Sequence, residues 1–292
     1  MNNWKGYLTN YRLRQRRWFY PLISAVVALS VCLSNPLPGR ALDIWQIIRK
    51  GSEIAPQVTQ IIQLSGLSMR DEVELGKQMN QELQDGGVRI NRNPEINRYV
   101  EQIGRRLVAN SSRPNLPYTF QVVDDNAVNA FATLGGFVYL NTGLLKTADN
   151  EAELASVIAH EMGHIEGKHL IEQIRQKSIA SGIATVTGLN RNQVVGIGVD
   201  LALNRPLSRQ DEFNADKRGL STLTRAGYAQ SGMVSFMTKL LSKGSGPTFL
   251  STHPATGDRI NALKRQINAQ PNNGSYGLDN TAYQANVRRF VR

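Results

Sequence analysis

The stretch Val157–His169, VIAHEMGHIEGKH, carries three of the four histidines in the chain. His160 and His164 stand four residues apart, so on a helix they share one face. Two imidazoles held this way can grip one zinc ion, and Glu161 beside the first can accept a proton from a water at that ion. The alternative is two polar residues on an ordinary helix, because HExxH also arises by accident. A zinc site needs a third protein ligand. The single cysteine, Cys32, lies in an apolar N-terminal run, so disulfides, thiolate catalysis and cysteine–zinc sites are excluded for a chain that loses it. Further along, SRQDEFNAD sets Glu212 and Asp216 four apart, again on one helical face. On that face Glu212 can bind a metal while Asp216 accepts the free N–H of a ligand histidine and fixes its tautomer. Solvated helix charges are the competing reading. His169 follows His164 by five residues and is expected to leave the shared face and lie at the surface.

These residues need elements to hold them. DEVELGKQMNQELQ reads as a helix from Asp71 that stops near Gly86 and Gly87. Asn93–Pro94 caps another, running through Ile96, Val100, Ile103 and Leu107. Tyr118–Asp125 and Gly135–Asn141 read as strands. A helix capped by Asp149 or Asn150 is expected to run without a break to about Lys177. Residues 178–207 are apolar but interrupted by glycines, and read as a flexible or irregularly helical segment that could cover the active-site cleft and gate it. SRQDEFNADKRGLSTLTRAGY is helical as far as Gly227, Lys243–Pro247 is a loop, and the Asn- and Gly-rich tail after Gln270 is expected to be extended. Mostly helical halves around a few strands imply an α+β fold.

The 292 residues carry a net charge of +11, but residues 1–41 hold six basic residues and no acidic ones. Without them the charge falls to +5, which leaves little case for nucleic-acid binding. A basic stretch ending at Arg17, the apolar run Leu22–Leu33 and small residues at Gly39 and Ala41 read as an export signal cleaved after Ala41. An uncleaved membrane anchor is the alternative, although the run is short of the roughly 20 residues a span needs. The organisation is then a signal over 1–41, an amphipathic helical segment over 42–69, the main domain over 70–268 and a polar tail over 269–292.

In collinear order over about residues 70–265, DEVELGKQM, NAVNAFATLGGFVYLNTGLL, ELASVIAHEMGHIEGKH, SRQDEFNADKRG and STHPATGDRI together resemble the HtpX/CAAX-protease-like zinc metallopeptidases, most closely the soluble exported BepA-like branch. The resemblance implies a zincin-like domain with one Zn2+ held by His160, His164 and Glu212. It also implies Glu161 as general base and Asp216 as partner of a ligand histidine. Asn214 stands where the family often has a second glutamate, which puts a minor polar contact in doubt but not the metal. His253, stiffened by Pro254, is expected beside the zinc, blocking the open position or stabilising an oxyanion. Arg259 is a weaker candidate for anion stabilisation, or a structural partner of Asp216. Gly135, Gly136, Phe137, Val138 and Tyr139 are expected to form an edge strand flanking the HExxH helix and pairing with an extended substrate, the alternative being an interior strand already paired on both sides. The function implied is an endopeptidase in the periplasm acting on unfolded or misassembled envelope proteins. Its partners would be those substrates and no nucleic acid, with peripheral membrane association compatible. A chaperone-like interaction protein with a latent or structural zinc is the competing class.

Overall fold

The computed structural model describes residues 66–181, 191–204, 206–242, 248–254, 257–271 and 274–289. The expected export signal, most of the 42–69 segment and the Lys243–Pro247 loop lie outside them. Helices α1 (Met69–Asp85) and α2 (Pro94–Val108) come first. The Ser68 hydroxyl caps α1 by accepting from Asp71 N, and the Asn93 side chain caps α2 by accepting from Glu95 N. Strands β1 (Thr119–Val123), β2 (Ala130–Ala132) and β3 (Phe137–Asn141) form a small mixed sheet. Helices follow: α3 (Thr142–Thr147), α4 (Glu151–Glu166), α5 (His169–Ala180), α6 (Arg191–Asn204), α7 (Arg209–Arg225), α8 (Ser231–Ser242), α9 (Thr248–Thr252), α10 (Gly257–Ala269) and α11 (Asn280–Arg288). The fold is α+β and mostly helical, as its sequence pattern implies.

Helix α4 is the centre of the molecule. Every residue from Ala152 to Glu166 is buried. One sheet face, with Phe120, Val122, Ala130, Val138 and Leu140, joins α2 and α4 in the main core. The other, with Val123, Phe131, Phe137 and Tyr139, packs on Leu83 of α1. Phe131 and Tyr139 stack there at 4.6 Å.

Four expectations change. The strand order is β1–β3–β2, so Phe137–Tyr139 lie in the central strand, parallel to β1 and antiparallel to β2. Their main chain is already paired on both sides and is not available to a substrate. The outer strand beside α4 is β2. Asn141 N donates to Asn129 O and Thr133 N to Phe137 O, so the intervening Ala130 and Ala132 turn their main-chain groups away from β3. Gly135 and Gly136 serve the turn before β3. Both have positive φ, 72° and 91°. A side chain on Gly135 would also strike the α1 backbone at Val73.

The long helix expected through Lys177 breaks at Gly167 and Lys168, the latter in the left-handed region at φ 55°. Residues 191–204 are one regular helix, because Val194, Val195, Gly198 and Leu201 bury a common side. The tail is not wholly extended. Tyr283 and Val287 of α11 enter the main core, and the Tyr283 hydroxyl donates to Leu145 O at 2.8 Å.

Helices α4 and α7 touch backbone to backbone. A Cβ on Gly163 would lie 2.5 Å from Ala215 O, and one on Gly219 would lie 2.9 Å from Ala159 O. Gly163→Ala is therefore expected to destabilise the protein by about 1–3 kcal/mol through overpacking. Gly196→Ala, in a helix interior with open space around it, should stabilise by about 0.5–1 kcal/mol. Urea unfolding of the two variants beside the parent checks both signs.

Candidate metal centre

Helix α4 presents His160 and His164 side by side, and α7 brings Glu212 and Asp216 against them. The Nε2 atoms of His160 and His164 lie 3.0 Å apart. Glu212 Oε1 is 3.4 Å from His164 Nε2, and Oε2 is 3.5 Å from His160 Nε2. From α9 and its C-terminal end, His253 Nδ1 reaches Glu212 Oε1 at 3.1 Å and His160 Nε2 at 3.4 Å. One ligand atom from each of His160, His164, Glu212 and His253 falls within 4.8 Å of the others, and all four residues are buried. Imidazole nitrogens and a carboxylate with no thiolate are a donor set that suits zinc, so the residues fit the metal. Glu161 is buried next to His160, with Oε1 unbonded and 3.5 Å from His253 Nε2.

The surroundings set the charges. His160 Nδ1 lies 3.0 Å from Asp216 Oδ1. Asp216 is clamped by Arg259, whose Nε donates to Oδ2 and Nη2 to Oδ1, both at 2.7 Å. Arg259 Nη1 also donates to Pro254 O and meets Glu212 Oε2. Burial alone would push both carboxyls up. Arg259 and His160 hold Asp216 below the usual range, and His253 and His160 do the same for Glu212. Burial opposes the charge on His160, yet hydrogen bonds to Asp216 and Glu212 prevail and raise its pKa to about 9 in the metal-free cluster. Burial and the charge on His160 push His164 well down. Burial pushes the Glu161 carboxyl up, which suits a general base.

His169 is not at the surface. The break at Gly167–Lys168 turns α5 back, and the His169 ring is buried against His164, with the two Nδ1 atoms 2.8 Å apart. Its Nε2 faces Asn214 Oδ1 at 3.1 Å, and the same oxygen accepts from Arg218 Nε at 2.7 Å. The contact placed in doubt by Asn214 is thus occupied by Asn214 itself. Sequence reasoning missed His169, Asn214 and Arg218 as a group. The signal was Gly167, a helix-ending residue that removes the fixed i+5 direction. Gly135–Tyr139 are not brought to the cluster as a free edge. Phe131 and Ala132 of β2 instead line a cleft with Glu161, His164 and His253.

The model of peptidase family M48 matches residues 94–267, from the start of α2 into α10. The chain belongs to peptidase family M48. Among M48-like relatives, a candidate beta-barrel assembly-enhancing protease of Vibrio cholerae is 33% identical over 196 residues, 61% of this chain and 40% of that protein. The beta-barrel assembly-enhancing protease of Escherichia coli K12 is 28% identical over 221 residues, 70% of this chain and 45% of that protein. The mitochondrial metalloendopeptidase OMA1 of Schizosaccharomyces pombe is 28% identical over 176 residues, 58% of this chain and 52% of that protein. The chain spans about half or less of each relative's length.

Arg259 is 1% exposed and neutralises buried carboxylates. Arg259→Met should cost about 3–5 kcal/mol, the penalty for a buried charge left alone. Asp216 has a depressed folded pKa, so its stabilisation is present above the unfolded value of about 3.9 and is lost as pH falls through the folded value. In Arg259→Met that loss should begin at a higher pH. Acid titration of both proteins by circular dichroism checks the shift.

Proposed function

We propose that the chain is an exported zinc-dependent endopeptidase that cuts unfolded or misassembled cell-envelope proteins in the periplasm. The observation that carries the reading is the convergence of His160, His164 and Glu212, with Glu161 adjacent. A closed structural zinc site does not need such a base, which is the point against the chaperone-like alternative. Family membership and the names of the relatives support peptide hydrolysis. The envelope substrate and the compartment rest on the beta-barrel assembly-enhancing relatives and on the N-terminal signal pattern. Among the described residues no helix is long and apolar enough to cross a membrane.

Zinc held by His160, His164 and Glu212 would acidify a water and polarise the scissile carbonyl. Glu161 takes a proton from the attacking water. The oxygen adds to the carbonyl carbon, the C–N bond breaks, and Glu161 returns the proton to the leaving amine nitrogen. Asp216, fixed by Arg259, holds the outer nitrogen of His160 and with it the ring's orientation. An extended substrate is placed alongside β2, where the half-buried Ala132 lines the cleft and turns its main-chain groups away from β3. Such pairing reads little side-chain identity and needs a flexible target. His253 Nδ1 stands 3.4 Å from His160 Nε2 and 3.1 Å from Glu212 Oε1, where it would compete with a substrate carbonyl or water for a zinc held there. Blocking is therefore the role its placement favours.

Glu161→Gln should lower cleavage of an unfolded protein by about 10²–10⁴-fold while zinc stays bound. Equal cleavage by parent and variant would sink the assignment. His253→Ala should raise cleavage with zinc retained, and a fall would return His253 to the oxyanion role. His160 keeps its proton to about pH 9 without metal. Its stabilisation of the metal-free fold is full below about pH 6.5 and fades as pH climbs through 9. Zinc must displace that proton, so uptake at pH 7 should release it. Calorimetry in buffers of different ionisation enthalpy reads the release directly.

A further inference from the structure

We propose that His169, Asn214 and Arg218 are positioning residues that fix the tautomer of His164 and thereby set the zinc affinity of the site. The inference rests on the metal-binding reading above. It follows from which atoms can donate and which can accept. Arg218 Nε only donates. It lies 2.7 Å from the terminal side-chain atom of Asn214, so that atom is the oxygen. An amide oxygen only accepts, so His169 Nε2, 3.1 Å away, carries the hydrogen. A neutral His169 then has its lone pair on Nδ1. Across 2.8 Å stands His164 Nδ1, which must donate. The remaining nitrogen of His164, Nε2, is left with its lone pair facing His160 Nε2 and Glu212. That is the form a metal ligand needs.

The opposite arrangement fails at one of two places. With the proton of His169 on Nδ1, two lone pairs would face each other at Nε2 and Asn214 Oδ1. With both nitrogens of His169 protonated, the proton of His164 would have to move to Nε2, where a metal would sit. Asp211 does not replace Asn214, since its Oδ1 is 3.8 Å from His169 Nε2. The ring has its seat because residue 167 is glycine. A Cβ there would lie 2.3 Å from His169 Nε2. The two ligand histidines are therefore braced differently, His160 by a carboxylate and His164 by a neutral imidazole.

The experiment uses the full chain carrying Glu161→Gln, with 15N-labelled histidine, and zinc titrated against a competing chelator. The chain has four histidines, so each ring can be assigned by substitution. In the zinc-loaded protein, long-range nitrogen–proton correlations should show His164 protonated on Nδ1 and His169 on Nε2. Asn214→Leu should weaken zinc binding about 10–100-fold. Asn214→Asp, of equal length and able to accept from both neighbours, should bind within about threefold of the parent. Gly167→Ala should weaken binding like Asn214→Leu.

The relay is overturned if the parent binds zinc but carries the His169 proton on Nδ1. It is also overturned if Asn214→Leu folds and binds as tightly as the parent. A parent that takes up no zinc overturns the metal reading as well, which separates the two failures. Should Asn214→Leu not fold, the proton positions in the parent decide alone.

Discussion

Glu212 and Asp216 lie four residues apart on α7, both almost wholly buried, and the neighbourhood is arranged to keep them charged. Two carboxylates taken out of water would ordinarily bind protons. Here Arg259 spans them, donating to both oxygens of Asp216 and meeting Glu212 from the same guanidinium. The side chain is one of the largest fully buried ones in the protein. Its fork matches the carboxylate geometry, which an ammonium could not do. With the acids fixed and ionised, the histidines of α4 have a permanent negative face to lie against. The local charge pattern thus favours a cation before any metal arrives.

That arrangement demands that two helices come unusually close. Gly163 and Ala215 meet backbone to backbone, as do Gly219 and Ala159. Larger residues at these points would hold α7 away from α4 and stretch the 3.4–3.5 Å approaches between Glu212 and the histidines. The small residues sit one turn from the charged ones on the same helices. Packing and chemistry are therefore set by one register, and the centre of the site is as rigid as the core that carries it.

Much of this was legible in the sequence. The i, i+4 spacing of His160 and His164, and of Glu212 and Asp216, is a local property that a helix turns directly into shared faces. The caps at Asn93 and Asn150 are local too. What escaped was tertiary. Strand β2 is three residues long, too short to show alternation, so the longer and more apolar β3 looked like the strand with a job. Its apolar character instead reflects pairing on both sides and burial on both faces. The glycines of α6 hid a helix because a sequence shows a propensity cost and not the neighbour that needs the space. The break at Lys168 depends on one left-handed residue that is not glycine, which propensity disfavours. Missing that break placed His169 on the wrong side of the protein.

The four groups that could hold a metal also differ in how firmly they are held. His160, His164 and Glu212 stand on helices of 16 and 17 residues, α4 and α7, locked together along their length. His253 follows a helix of five residues. It is tied by its own amide to Phe249 O at 2.8 Å, by Leu207 N to Thr252 O at 3.1 Å, and by stacking on Phe249 at 4.6 Å. Withdrawing His253 breaks a few interactions at the edge of the core, whereas moving any of the other three requires α4 and α7 to part. Under the proposed function, a substrate lying along β2 would compete with His253 for the place beside His160 and Glu212. Of the four groups in the cluster, this is the one whose removal leaves the other three, and Glu161 beside them, in place.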